Sequence, residues 1–338
     1  MKYALTLLLA AGAVTACQDA TAPRAAGPSP VAASTSAAPS VDPRIPIPSN
    51  MFAVVSGAGS LMSGSNALSV TASGFGVYEV FFNRNVSSCA YVATTVNGTA
   101  SQTAQVFTAS GHSSPNAVYV ETKNQGGGLS PQAFHLVVSC GIAMPFAVVD
   151  YNGNLTRASG PVSISGGNGI YRINFGFSVA PCAYIATVAD PGNGLVFSPA
   201  GVYTASGSVL GEVYVETKNP GGGLQAGVPF HLMLICTGTS RTGYAVVKST
   251  GTFQRGSPPG GSITHPSTGH YTINAPFQIS ACAKVLTRGS FNTAVPFTPT
   301  TVELGSSSTA TSLPVEVRNL PLLGGAFVDE SFHVAVVC

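Results

Sequence analysis

Tryptophan is absent from the 338 residues, and charge is scarce: Lys, Arg, Asp and Glu together make up 8% of the chain. The missing indole weighs against a sugar-binding surface, where flat rings stack on the apolar faces of sugars, without excluding one. The net charge is +2 and no Lys or Arg cluster occurs. A nucleic-acid partner needs a positive footprint to displace counterions from phosphate, so that partner is excluded. Metal and hydrolase signatures are missing too. There is no Asp-x-Asp-x-Asp-Gly, no His-x-x-x-His, no Cys-x-x-Cys and no Gly-x-Ser-x-Gly. Calcium, zinc and an activated serine therefore have no recognisable seat, and no cofactor is expected. The triple glycines Gly126–Gly128 and Gly221–Gly223 are not followed by a helical pattern, so they read as hairpin loops rather than phosphate cradles. No segment carries an i, i+3, i+4 apolar stripe long enough for a helix.

What is present begins at the N-terminus. Lys2 precedes an apolar run from Ala4 to Val14, which is too short for the roughly 20 residues that span a bilayer. The run ends in Val14-Thr15-Ala16-Cys17, which resembles the bacterial lipobox, in which the Cys becomes the acylated first residue. That resemblance implies a signal peptide over residues 1–16, lipidation at Cys17 and a membrane contact through the lipid. Residues 17–50 are rich in Pro, Ala and Ser without hydrophobic period, the composition of an extended tether. At ~3.1 Å per residue it reaches up to roughly 100 Å.

Beyond Asn50 the chain repeats itself three times. Phe52-Ala-Val-Val55, Phe146-Ala-Val-Val149 and Tyr244-Ala-Val-Val247 open the copies, and Gly-x-Tyr strands follow at Gly76, Gly169 and Gly269. Each copy closes on Phe-His-apolar and a Cys, and equivalent positions lie 93 to 102 residues apart. The copies occupy residues 51–140, 141–236 and 237–338. Six of the seven Cys fall two to a copy, 51, 54 and 56 positions apart. Repetition favours one bridge per copy: Cys89–Cys140, Cys182–Cys236 and Cys282–Cys338. Closing such loops removes ~4 kcal/mol of unfolded-chain entropy in the usual account.

Short β-branched runs separated by Asn-Gly, Pro-Gly and triple-Gly turns predict an all-β fold, six to eight strands per copy, in three tandem antiparallel sandwiches. A transmembrane barrel is the rival, and the paired cysteines, the lipobox and the tether argue against it. Connectors of five and seven residues, Gly141–Pro145 and Thr237–Gly243, force neighbouring modules to touch. Both a linear stack and a closed pseudo-threefold ring satisfy them. The linear stack is the expectation, since threefold closure places stricter demands on such short connectors.

One polar set recurs. Glu121, Glu216 and Glu316 each stand two before Lys123, Lys218 and Arg318, and the closing strands bring His135, His231 and His333. If Cys140, Val138, Leu136 and Phe134 face inward, His135 points outward, and Val118 and Val120 likewise turn Glu121 and Lys123 out. The expectation is that Glu, Lys and His share the outer face of one hairpin. There they form a cross-strand charge pair or, alternatively, a repeated ligand or module contact. An open face offers no pocket for catalysis.

The module resembles a repeat family of secreted bacterial proteins with patterns such as YAVV, GVYEVxFNRDVSGCAYVAT and FHLxVxC, over residues 52–338. In some of these proteins the module looks like the terminal head of a stalk. The resemblance implies an extracellular β module and brings no activity or site with it. The third copy departs most, with Lys284 for Tyr and VEVRN for YVETKN. Together these readings predict a non-enzymatic, lipid-anchored protein of the cell envelope, periplasmic or surface-facing. Its expected role is adhesion or scaffolding toward an envelope protein or glycan. A glycan-binding lipoprotein is the alternative, and an enzyme is the least favoured class.

Overall fold

In each module the apolar runs become eight strands, as alternation and β-branching require. The computed structural model describes residues 50–96, 104–194, 199–236, 242–257, 261–293, 298–306, 308–320 and 325–338. In module 1 the strands are β1 (Met51–Val55), β2 (Leu61–Ser65), β3 (Ala67–Gly74), β4 (Val77–Phe82), β5 (Ala90–Thr95), β6 (Ala104–Ser110), β7 (Ala117–Asn124) and β8 (Phe134–Ser139). They form two antiparallel sheets, ordered β2-β1-β8-β5 and β3-β4-β7-β6. The same two sheets recur with the same order in modules 2 and 3. No helix occurs among the described residues.

Inside each sandwich the inward rows of the two sheets meet. Tyr78, Val80 and Phe82 of β4 and Val118 and Val120 of β7 pack on Phe134, Leu136 and Val138 of β8. Disulfides Cys89–Cys140, Cys182–Cys236 and Cys282–Cys338 staple the modules, one in each and none between them. Bridges of this kind belong to an oxidising, extracytoplasmic compartment.

The linear arrangement expected from the sequence is not found. Asp42–Cys338 is a single compact unit, and within it module 3 returns to module 1. Asn50 Nδ2, just before β1, donates to Cys338 O and to Thr242 Oγ1, both at 3.3 Å. Along the ring axis a second core forms from the other faces of the β1-β8-β5 sheets. Each module brings one cross-strand row to it: Phe52, Val137 and Val92 from module 1, Phe146, Met233 and Ile185 from module 2, and Tyr244, Ala335 and Val285 from module 3. The physical reason is that these sheets are apolar on both sides. At ~25 cal/mol per Å², leaving one side in water would forfeit a full core's worth of burial in each module.

Candidate functional site

The recurring polar residues meet at the three seams of the ring. The strand equivalent to β5 is an edge strand in each module, and its outward amides would lack partners in an isolated sandwich. The neighbouring module supplies them. At the module 1–2 seam, Tyr91 N donates to His231 Nδ1 at 2.9 Å and Ala93 N to Thr187 Oγ1 at 2.8 Å. At the module 2–3 seam, Tyr184 N donates to His333 Nδ1 and Ala186 N to Thr287 Oγ1, at 2.8 and 2.7 Å. At the module 3–1 seam, Lys284 N donates to His135 Nδ1 and Leu286 N to Thr94 Oγ1, at 2.9 and 2.8 Å. Each Thr hydroxyl also donates back to the facing carbonyl, so side chains reproduce the give and take of a strand ladder.

All three imidazoles are buried and must be neutral to accept at Nδ1. Burial, reinforced by the Lys284 ammonium, lowers His135 to about 3. Burial and the Arg255 and Arg288 guanidinium groups lower His333 to about 3. Burial, with Arg157 beside it, holds His231 well below the ordinary imidazole range. Those arginines are seam residues themselves. Arg157 donates to Cys89 O at 3.2 Å and Arg255 to Cys182 O at 2.8 Å, each reaching into the preceding module. At the equivalent place module 1 has only Ser63, whose hydroxyl donates to Ala281 O.

The outer sheets add a second line of contacts. Ser110 N donates to Gly192 O and Asp190 N to Thr108 O across seam 1–2, and Ser290 N donates to Thr204 O across seam 2–3. The triple-glycine turns belong here. Gly127 and Gly222 have φ of +82° and +88°, and a Cβ on them would lie 3.0 and 2.7 Å from Pro199 and Pro299 of the following module. These turns are close module contacts, not free hairpin loops.

The expectation of an exposed Glu–Lys–His face on one hairpin is corrected in two respects. His135 does point away from its own core, but β8 and β7 lie in different sheets, so it does not share a face with Glu121 and Lys123. Moreover Glu121, Lys123 and His135 are 6%, 5% and 6% exposed, and Glu216, Lys218 and His231 are 4%, 4% and 0% exposed. The adjoining modules cover the face that the sequence leaves open. The pairs themselves form: Lys123 Nζ lies 2.7 Å from Glu121, Lys218 Nζ 3.0 Å from Glu216, and Arg318 2.9 Å from a half-buried Glu316. Tyr119 and Tyr214 donate to Glu121 and Glu216 at 2.9 and 2.8 Å. His333 is fully buried. Cys17, the expected lipidation site, lies outside the described residues.

Beside each pair the repeat changes identity. Phe107, Tyr203 and Glu303 occupy one position, each opposite the Glu of its pair. Phe107 packs on Val188, Ala200 and Val228 of module 2, and Tyr203 donates to Thr300 O of module 3 at 3.2 Å. Glu303 instead accepts from Ala104 N of module 1 at 2.7 Å, and burial, with Glu316 nearby, raises it to about 8. A cavity of about 110 Å³ is lined by all three modules, with Thr94, Thr187, Thr287 and the buried Arg288 among its walls. Arg288 is already satisfied by Thr300 Oγ1, Ser331 O and a 3.0 Å ion pair with Glu330. Among the described residues no group of three or more His, Cys, Asp or Glu side chains converges as metal ligands would.

Comparison with protein-family models, with curated proteins and with solved structures finds no match.

Proposed function

We propose that this chain is a non-enzymatic, lipid-anchored envelope protein whose three modules form one rigid head at the end of a tether, serving as a scaffold or adhesive platform. The observation that carries this reading is where the repeated polar chemistry goes. Imidazole and threonine hydroxyl groups recur because each copy needs them to hold its neighbour, and the carboxylate–cation pairs recur within each copy beside the seams. They are buried and mutually bonded, and a buried neutral His locked to a backbone amide cannot exchange protons with a substrate. Assembly accounts for the recurrence without any reaction.

Three disulfides in an oxidising compartment suit a head held outside the cytoplasm. The recurring tyrosines Tyr78, Tyr171 and Tyr271 are 1 to 2% exposed, so they offer no platform for a sugar, and the glycan alternative draws no support from them. Membrane fractionation of wild type and Cys17→Ser tests the anchor. The wild type should fractionate with membranes and the variant should be released, and a variant that stays with membranes after a high-salt wash would overturn the reading. A pull-down from the native envelope with the Asp42–Cys338 unit then identifies what the head engages.

A further inference from the structure

The three seams are equivalent in geometry but not in connectivity. Short chain segments join module 1 to module 2 and module 2 to module 3, and nothing covalent joins module 3 to module 1. That seam also lacks three features of the others. It has Ser63 where they have Arg157 and Arg255, Ala104 where they have Ala200 and Thr300 preceded by Pro199 and Pro299, and Glu303 where they have Phe107 and Tyr203.

We propose that the module 3–module 1 seam is a pH-gated latch. It is closed while His135 accepts the Lys284 amide and Glu303 lies neutral opposite Glu316 under the Ala104 amide, and it opens the ring into a chain of three stapled modules when either side chain takes on charge.

On the acid side, a proton on Nδ1 removes the acceptor for Lys284 N–H and places an imidazolium against the Lys284 ammonium, itself buried. The residues paired with His135 on the flanking strands, Val54 and Thr94, are neutral, so nothing there compensates the new charge. The folded-state pKa of His135, about 3, lies below the ordinary 6.5. Its contribution is therefore complete above about 6.5 and is lost as pH falls through that window. On the alkaline side, Glu303 accepts the Ala104 amide whether neutral or ionised, and that bond favours the carboxylate, but burial outweighs it, because ionisation sets the charge in a 2% exposed site opposite Glu316. The Arg318 guanidinium, the cation nearest this pair of carboxylates, is already bound to Glu316 at 2.9 Å. The folded-state pKa of Glu303, about 8, lies above 4.5, so its contribution is complete below about 4.5 and fades as pH rises through 8. The two contributions offset each other between about 4.5 and 6.5, so closure is strongest there and weakens as pH falls toward 3 or rises toward 8. His231 and His333 also lose their bonds in acid, but their seams stay tethered, so module 3 leaves module 1 first.

Small-angle scattering on Asp42–Cys338 from pH 3 to pH 9.5, with circular dichroism on the same samples, tests this. A closed unit of this length has a radius of gyration of roughly 19 Å, and the open chain should exceed it by roughly a third or more while strand content stays constant. Glu303→Tyr, the residue module 2 already carries at this position, should abolish the alkaline expansion and leave the acid one. His135→Gln, which keeps an acceptor that does not titrate, should move the acid expansion to lower pH. A size that does not change at either limit would overturn the proposal. So would an expansion that always coincides with loss of strand signal, or limits unmoved by both variants.

Discussion

The two joined seams and the free one close the same ring with different chemistry. Seams 1–2 and 2–3 carry an Arg reaching back to the preceding disulfide, a proline under a left-handed glycine, and an aromatic ring beside the ion pair. The free seam keeps the His and Thr bonds, has Ser63 and Glu303 where the others place a guanidinium and an aromatic ring, and so puts a buried carboxyl in the aromatic's place. The contrast separates the contacts that define the ring from those that only tighten it. The strand-edge amides bonded to His and Thr appear at every seam, so they set the geometry. The remaining contacts vary with the copy.

The largest expected effect separates staple from seam. Replacing Cys182 and Cys236 together by Ala should destabilise module 2 by ~2–5 kcal/mol, read by denaturant unfolding. Replacing Cys282 and Cys338 should cost module 3 a similar amount and also loosen the free seam, because Asn50 binds Cys338 O. Equal ring loosening in both variants would erase the distinction between seams.

A smaller effect compares the same hydroxyl at two seams. Thr187→Val orphans the Ala93 amide and Thr94→Val orphans the Leu286 amide, each costing ~1–3 kcal/mol. Only Thr94→Val should enlarge the particle in scattering, since only its seam lacks a covalent connection. Enlargement by Thr187→Val would show that the connectors do not hold their seam.

The smallest effect lies inside a module. Phe82 and Phe175 are 1% and 2% exposed, but their counterpart in module 3 is Ala275, beside a cavity of about 40 Å³ lined by Ile273, Phe277 and Val334. Ala275→Phe should raise the stability of module 3 by about 1 kcal/mol in thermal unfolding, and a loss would mean the space is not that of the missing ring.

The strands, the bridges and the repeat were legible because they rest on local patterns. Period-2 apolar residues, turn glycines and paired Cys each act within a module. The ring was not, although a signal for it was present. FHLVVSC, FHLMLIC and FHVAVVC carry apolar residues on both faces, as do AYVATT and AYIATV, and a strand with apolar residues on both faces must be covered twice. Reading Phe134, Leu136 and Val138 as the inward row was correct, but Val137 between them already required a second core. The Glu, Lys and His positions were found by their recurrence. Their burial was missed, because an outward direction from one module says nothing about what the next module covers. Glu303 was missed as well, since at its position the repeat itself changes from Phe and Tyr to Glu.

Ring closure is tested most directly by amide hydrogen exchange at neutral pH on Asp42–Cys338. The amides of Tyr91, Ala93, Tyr184, Ala186, Lys284 and Leu286 lie on edge strands and find their acceptors only in the adjacent module. A closed ring predicts that all six are protected as strongly as amides paired within the sheets. Rapid exchange at Lys284 and Leu286, with the other four protected, would contradict closure and leave an open chain of three modules.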